Sequence, residues 1–503
     1  SWLKVGFNGV FGNSQQELPN KAAWQKAFNT PSILPVYDER RGDDVFPTKY
    51  ADPFQVGLNN NFYNPVAFAD YYDSRNDNYQ VLSNFYAQLN IIPDRLNIRT
   101  SYSYDYSAIR GNTFLPTYYV GQNQQRNTTQ LTKTDSNYNK WIWDNTATYN
   151  QRWDAHSFTG MLGVSMRQER YNMISGTATN VPEGADEWKY LVLGNKEGST
   201  VTDDGWRYRG LSYFTRLNYS FDDRYMLMFT FRADGSSKYN DKWGYFPSVG
   251  AAWTITNEEF MADQKAFDYL KLRASWGKLG NDKIAASAGF ANVNVVQAVF
   301  GTNNPLDGYK NTSNFSWLGW EVVNETNVGL SLATLRNRLS ADIDWYYRMT
   351  ENAVISPMIP MTTNTIAGNF GEVLNSGIDL SLNWNDKINK DFSYNIGFNL
   401  GWLHNEVKSL KGELNYIKDG GKVVQMVGEK MNSYYGYKVV GIYQTAEECA
   451  NDPIAVANNL QPGDFKYQDV NGDDKIDGQD KQVLGSYIPD ITYGFNLGFQ
   501  YKN

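Results

Sequence analysis

The sharpest chemical pattern in the chain is a run of oxygen-bearing side chains spaced as in a calcium-binding loop. Its six members are Asp469, Asn471, Asp473, Lys475, Asp477 and Asp480. Five of them place a side-chain oxygen at loop positions 1, 3, 5, 9 and 12, and the lysine at position 7 offers its backbone carbonyl. Flexible carboxylates suit the large, irregular coordination sphere of calcium better than that of magnesium. The loop is therefore predicted to bind calcium in a structural role.

Two residues depart from the usual calcium loop. Asp474 stands at position 6, where glycine is usual, and Asp480 stands at position 12 in place of a bidentate glutamate. The alternative interpretation is an acidic turn exposed to solvent, and the sequence leaves it open.

Residues suited to catalysis are scarce. The chain has two histidines, His156 and His404, and neither lies near a serine or cysteine nucleophile motif. Cys449 is the single cysteine and is expected to be a surface thiol, so no disulfide can form within the chain. No glycine-rich phosphate or dinucleotide motif occurs. The sequence thus predicts neither an enzyme nor an organic cofactor.

Charge excludes one class of partner. The 46 basic and 54 acidic residues give a net charge of -8, and no block of lysine or arginine stands out. Because binding to phosphate backbones needs concentrated positive charge, a nucleic-acid partner is not expected.

The elements that would position these residues are strands. Apolar and small polar residues alternate over long stretches, as in 392–402 (FSYNIGFNLGW) and 491–501 (ITYGFNLGFQY). Strict alternation places the apolar set on one face of each strand. No run of 18 apolar residues occurs, which excludes transmembrane helices. Helical sequence is expected only at 445–460 and 257–267.

Three features favour a membrane barrel over a soluble sandwich. The expected strands of about 9–11 residues match a tilted membrane crossing. Aromatic residues stand where interface girdles would lie, and the opposite face is small and polar; the girdle residues are Trp253, Trp276, Trp345, Trp384 and Trp402. Short links alternate with long ones throughout, as periplasmic turns alternate with extracellular loops.

The links give the strand count. Short links are expected near 91–95, 150–156, 220–224, 256–268, 333–338 and 385–391, and long links near 10–80, 105–140, 168–210, 233–247, 278–325, 349–376 and 403–490. The chain is thus predicted to be an all-β, transmembrane antiparallel β-barrel of about 14 strands with long extracellular loops.

Several stretches resemble the SusC/RagA-like branch of TonB-dependent transporters, and they occur in that family's order. They are 217–225 (LNYSFDDRY), 232–238 (RADGSSK), 244–253 (GYFPSVGAAW), 259–261 (EFM), 269–281 (YLKLRASWGKLGN), 320–321 (WE), 326–330 (TNVGL), 369–377 (NFGEVLNSG), 463–467 (GDFKY) and 485–499, which ends in YGFNLGF. The ordered set covers 211–503, whereas 1–210 carries few such motifs.

The resemblance implies energised import of a nutrient across a bacterial outer membrane. Family barrels have 22 strands around an N-terminal plug. A segment preceding the plug contacts TonB, and a SusD-like surface lipoprotein closes over the mouth. On this basis residues 1–503 are expected to be the barrel domain, embedded in outer-membrane lipid and incomplete at both ends. The plug and the TonB-contacting segment are expected to lie outside this sequence.

The cargo implied by the resemblance is a glycan or oligosaccharide, with a peptide as the other possibility. Aromatic residues in the expected loops suit stacking on sugars, although they also serve as packing material. These candidates are Tyr118, Tyr119, Trp188, Trp206, Trp317, Tyr434 and Tyr435. Two rival functions stay open: a soluble carbohydrate-binding β-protein and an outer-membrane adhesin barrel.

Overall fold

The computed structural model describes residues 2–41, 48–59, 61–286, 293–299, 305–311, 314–315, 318–355, 366–411, 416–419 and 422–502. Helices occur only in the links between long strands. They are α1 Lys21–Asn29, α2 Pro65–Asp70, α3 Ala446–Asn451 and α4 Pro453–Ala457. None of the helices in these ranges has the length and apolar character needed to cross a membrane.

Strands make up most of the described chain. In order they are β1 Leu3–Glu17, β2 Asp73–Ile92, β3 Leu96–Leu115, β4 Tyr118–Gly121, β5 Gln124–Arg126, β6 Gln130–Trp153, β7 His156–Thr179, β8 Thr200–Phe221, β9 Tyr225–Ser236, β10 Trp243–Thr254, β11 Tyr269–Asn281, β12 Val293–Val299, β13 Pro305–Asn311, β14 Asn314–Phe315, β15 Glu321–Thr334, β16 Leu339–Ile355, β17 Ile366–Lys387, β18 Phe392–Leu410, β19 Tyr416–Asp419, β20 Val423–Met426, β21 Ser433–Gly436, β22 Val439–Ile442, β23 Phe465–Tyr467, β24 Gln482–Ser486 and β25 Ile491–Tyr501.

The chain divides into two compact units. The first contains Ser1–Ile91, Ile98–Asn145 and Ser165–Gly210, and the second contains Ile92–Asn97, Thr146–Val164 and Leu211–Asn503. In the first unit the strand order is β1-β2-β3-β6-β7-β8, and in the second it is β9-β10-β11-β15-β16-β17-β18-β25. The fourteen long strands agree with the predicted number.

Cross-strand register places apolar side chains on one face of the sheet in the second unit. Trp345 pairs with Ile378, Ile378 with Trp402, and Trp402 with Ile491. On β25, Tyr493 is 79% and Phe495 67% exposed, so no second sheet covers this face within the described ranges. Apolar side chains left outside a packed core are what a lipid-facing surface requires. The predicted orientation of these residues is confirmed.

Tight turns between neighbouring strands depend on aspartate. Asp94, Asp154, Asp222 and Asp223 all have positive φ, at 59°, 44°, 52° and 54°. Aspartate tolerates this left-handed region better than most side chains, and mirror-image turns match the twist of a hairpin. These residues close three of the short links: β2 to β3, β6 to β7 and β8 to β9.

Three expectations about the elements are corrected. Several strands far exceed 11 residues, and β6 and β7 reach 24 each, because polar sequence expected in loops continues the ladders. The link between β9 and β10 is short, since Gly235 pairs with Trp243, so link lengths do not alternate strictly. The 445–460 stretch forms two short helices that meet at Pro453, while 257–267 contains only 3-10 turns.

Two buried apolar clusters lie in the links between the long strands. One joins Tyr50, Ala67, Tyr118 and Val120, and another joins Tyr443, Cys449 and Ala455. Cys449 is only 7% exposed, so its predicted role as a surface thiol is wrong. The helix α3 turns the thiol inward toward Tyr443 instead, and burial raises its pKa.

The two faces of β18 give a direct test. Phe398 lies on the apolar face midway along the apolar run 392–402, and Asn399 lies on the opposite face. Phe398→Arg is expected to lower the free energy of unfolding in lipid vesicles by about 2–4 kcal/mol, because it places a charge at the bilayer midplane. Asn399→Arg is the matched control and is expected to change it little. Equal losses in denaturant titrations would show that the faces are assigned wrongly.

Candidate functional site

The face opposite the apolar one is polar and charged. On β16 and β17, Asp344 pairs with Asp379 across the strands. Both line a cavity of ≈ 480 Å³ together with Asp342, Ser381 and Asn399. Charged side chains are costly in lipid, so this face is the inner one. The inner wall is therefore suited to hydrated, polar material.

A charged network crosses three strands of this inner wall. Both oxygens of Asp344 lie 3.0 Å from Nη2 of Arg273, whose Nη1 donates to the Ser331 hydroxyl at 2.6 Å. Gly329 stands between the two charged residues, and a Cβ there would lie 2.2 Å from the Asp344 carboxylate. The glycine thus permits arginine to reach across a whole strand. Ser331 in turn donates to Asp342 at 2.5 Å.

The first unit has a smaller cavity of ≈ 290 Å³ on its own inner wall. Its polar lining comes from four neighbouring strands and includes Asn8, Asn84, Ser103, Asp105 and Lys140. Asn84 donates to the Ser103 hydroxyl at 2.7 Å, which fixes the amide.

Aromatic side chains of the first unit lie in a group on β6, β7 and β8. The Trp206 ring lies 6.0 Å from the ring of Tyr138 and 6.1 Å from that of Tyr171. Trp206 was the predicted member of this group, and sequence reasoning missed the two tyrosines and Asp105. For Tyr138, the alternation with outward-facing Trp141 and Trp143 on β6 was the available signal.

The predicted cargo residues Tyr118 and Tyr119 belong to a folded link. Tyr118 is 8% exposed, and its ring stacks on Tyr71 with centroids 4.6 Å apart. Burial raises its pKa. The carbonyl of Tyr119 accepts hydrogen bonds from the backbone N–H and the hydroxyl of Thr48. The structure therefore places the Tyr118 ring in a packing role and leaves little of it for a ligand.

The remaining aromatic candidates lie apart from that core. Trp188 ends a 3-10 turn and is 54% exposed. Tyr434 and Tyr435 are neighbours on β21, and the Tyr434 ring makes an edge contact with Tyr487 at 6.2 Å. Trp317 lies outside the described residues.

The acidic loop between β23 and β24 makes a sharp turn at Asp474. Asp474, at the position usually held by glycine, has φ 59°, so it adopts the left-handed conformation that the sharp turn requires. Asp469 accepts backbone hydrogen bonds from Gly472 and Asp474, which wraps the chain around its carboxylate. The departure noted in the sequence thus leaves the turn intact.

Asp480 closes the same loop. It is fully buried and accepts hydrogen bonds from the backbone N–H groups of Asp477 and Val470. These bonds lower its pKa, as does a side-chain hydrogen bond with Asp469. Asp473 and Asp477 each have one oxygen bonded to backbone N–H. Across the described ranges, no three His, Cys, Asp or Glu side chains are grouped closely enough to hold a metal.

Neither histidine forms a catalytic arrangement in the described structure. Nδ1 of His156 lies 2.7 Å from the Tyr219 hydroxyl, and its ring stacks on Trp153 at 5.3 Å. His404 lies 3.2 Å from the Glu406 carboxylate on an exposed stretch of β18. The first is part of an aromatic group beside a short turn, and the second lies beside the Glu406 carboxylate.

Comparison with known proteins places the fold in context. The family described as TonB dependent receptor-like, beta-barrel matches residues 21–502. TonB-dependent receptor P26 of Formosa agariphila is 27% identical over 526 residues, which cover 100% of this chain and 50% of that protein. TonB-dependent receptor SusC of Bacteroides thetaiotaomicron is 32% identical over 314 residues, covering 58% of this chain and 30% of that protein.

A solved structure shares the architecture. The RagAB peptide transporter superposes with a TM-score of 0.78 at 22% identity, covering 100% of this chain and 55% of that one. At this identity the likeness supports the fold alone. The chain spans about half the length, or less, of the curated relatives it matches.

Replacing Tyr118 tests whether its ring packs within the folded link or contacts the cargo. Tyr118→Ala removes a buried ring and is expected to destabilise its link by about 3 kcal/mol. Hydrogen exchange of residues 48–72 and 116–129 would report the loss as faster exchange. Trp188→Ala, at an exposed site in the same unit, is the control and should leave exchange unchanged. If Tyr118→Ala left exchange unchanged as well, the packing role would be wrong.

Proposed function

The chain belongs to the TonB-dependent receptor-like β-barrel family of the outer membrane, and from that premise we propose that the whole protein imports an oligosaccharide. This family consists of receptors and transporters, so the protein is not an enzyme. The observation that carries the proposal is the two-faced sheet. Its outer face is apolar, and its inner face carries ion pairs and cavities lined by hydroxyl, amide and carboxylate groups.

The inner wall favours a hydrophilic cargo. Arg273 offsets part of the negative charge of Asp344 and Asp342, which reduces the field on this wall. Serine and asparagine side chains both donate and accept hydrogen bonds, as sugar hydroxyls require. A peptide is the second candidate, because the solved structure with the same architecture is named as a peptide transporter.

The proposed partners follow from the family. We propose a SusD-like surface lipoprotein at the mouth and TonB as the energy-coupling partner, the latter acting through a region outside this sequence. The long links 18–72, 180–199 and 411–490 would supply the outer rim, because long loops in such barrels are extracellular. Exposed Trp188 and Tyr434 are available there for cargo or partner contact.

Uptake in the native bacterium tests the import proposal. Deletion of the full-length gene is expected to abolish growth on one class of neutral glycan, and complementation should restore it. A protonophore should stop uptake in the complemented strain, because the import is energised. A growth defect confined to peptides would favour the second candidate. Lost surface attachment with normal growth on all of these nutrients would favour an adhesin.

We also propose that the loop Asp469–Asp480 holds a structural calcium ion. The left-handed Asp474 supports the fit, as do the backbone hydrogen bonds that hold the Asp469 and Asp480 carboxylates in the loop. The residues that would hold the ion are Asp469, Asn471, Asp473, Lys475 through its carbonyl, Asp477 and Asp480.

Calcium is expected to stabilise the full-length protein. Chelation should speed hydrogen exchange across the 411–490 link, and added calcium should slow it again. Asp473→Ala should remove the calcium response, whereas Glu447→Ala, which changes an exposed acid elsewhere in the link, is the matched control and should preserve it. If chelation did not change hydrogen exchange and elemental analysis found no bound metal, the loop would be an acidic turn that binds no calcium.

A further inference from the structure

The inner wall of the first unit carries a row of residues that the proposed function does not yet use. Asp105, Tyr138, Tyr171 and Trp206 come from four strands, β3, β6, β7 and β8. Ring contacts join Trp206 to both tyrosines. Beside them Lys140 lies 3.6 Å from the Glu169 carboxylate. The row thus combines flat rings with charged and polar groups.

Alternation on β6 fixes the face of this row. Trp141 stacks on Tyr102, and Trp143 donates to the Thr100 hydroxyl. These contacts place all four side chains on the outward face of β3 or β6. Tyr138 and Lys140 are each an odd number of residues from Trp141 and Trp143, so they lie on the opposite, inward face of β6. Lys140 and Asp105 line the same cavity, which confirms that β3 contributes to this face.

The position of the row relative to the membrane interfaces follows from residue spacing along β6. Trp143 and Trp153 are exposed, outward-facing and ten residues apart, which is about the length of one membrane crossing. Two such residues mark the two interface girdles. Tyr138 lies five residues beyond Trp143, on the side away from the short turn at 154–155. The row therefore lies at the extracellular mouth, where a cargo enters.

One atom of the row lacks a partner. Oδ1 of Asp105 is buried and accepts no hydrogen bond from any residue that the structure describes. A buried acceptor without a donor is unfavourable, and a hydroxyl group of a bound ligand would supply that donor. The cavity that Asp105 lines also offers the Ser103 hydroxyl and the Asn84 amide.

We propose that this row binds a neutral oligosaccharide at the mouth of the importer. The ring faces of Tyr138, Tyr171 and Trp206 carry partial negative charge and attract the weakly positive C–H groups of a sugar face. Asp105 accepts a hydrogen bond from a sugar hydroxyl. The proposal rests on the import function above and specifies its cargo and binding site.

A neutral sugar fits the charges better than a cationic peptide does. Lys140 already pairs with Glu169, and Arg167 covers the face of the Tyr208 ring at 4.7 Å. The wall beside Asp105 therefore presents positive groups as well as negative ones, which disfavours a strongly charged ligand of either sign. Stacking and hydroxyl recognition remain as the main attractive interactions.

The test uses the purified full-length transporter and titrates it with neutral linear α-glucan, β-glucan and mannan oligosaccharides. Trp206→Ala and Asp105→Ala are each expected to weaken binding about tenfold, a loss of about 1.4 kcal/mol. Asp105→Asn should bind nearly as the wild type does, because its amide oxygen still accepts from a hydroxyl. Trp143→Ala, on the outward face of β6, is the matched control and should bind normally.

The outcomes separate this inference from the import proposal. If the wild type bound an oligosaccharide and Trp206→Ala and Asp105→Ala bound it equally tightly, the proposed site would be wrong. The import proposal would not be affected. The cargo class would be wrong if the protein bound a cationic peptide and if Asp105→Asn weakened that binding as much as Asp105→Ala did. Absence of both binding and uptake in the wild type would instead remove the import proposal itself.

Discussion

Backbone hydrogen bonding inside hydrocarbon is the constraint on which the rest of the structure depends. A membrane interior offers no water to an unpaired N–H or C=O group, so every strand that crosses it must pair on both sides with another strand. The long ladders of β15 to β18 meet this demand with continuous antiparallel register over the apolar stretches. The main irregularities in these ladders, at Thr350/Ala353 and Glu372/Val373, lie on the side away from the short turns.

Pairing of this kind also fixes which chemistry is possible on each face. Because side chains alternate, a ladder that holds Trp345 and Ile378 outward must hold Asp344 and Asp379 inward. The inward acids then need compensation, and Arg273 supplies it from two strands away through the gap left by Gly329. The polar wall is thus a consequence of the same register that makes the outer face apolar.

The sequence alone predicts the parts of the fold that repeat locally. Alternation in 392–402 and 491–501 is enough to assign faces, and link positions are enough to count strands. It fails where the outcome depends on distant partners. The polar start of β6 resembles a loop until β7 pairs with it, and Tyr118 resembles an exposed loop aromatic until Tyr71 stacks on it. Asp105 and Trp206 are 101 positions apart, so only cross-strand register brings them to one wall.

Within the link 411–490, a small sheet and several hydrogen bonds hold side chains in fixed positions. Four short strands, β19, β20, β21 and β24, form a sheet within it, and the N–H of Met431 donates to the Asn405 side chain on β18 at 2.7 Å. A second cluster around Tyr443 is tied by the hydrogen bond from its hydroxyl to Asp452. These contacts restrict the conformations open to Tyr434 and to the acidic loop before any ligand arrives. Less ordering entropy is then lost on binding, so weak individual contacts at such a rim suffice for recognition.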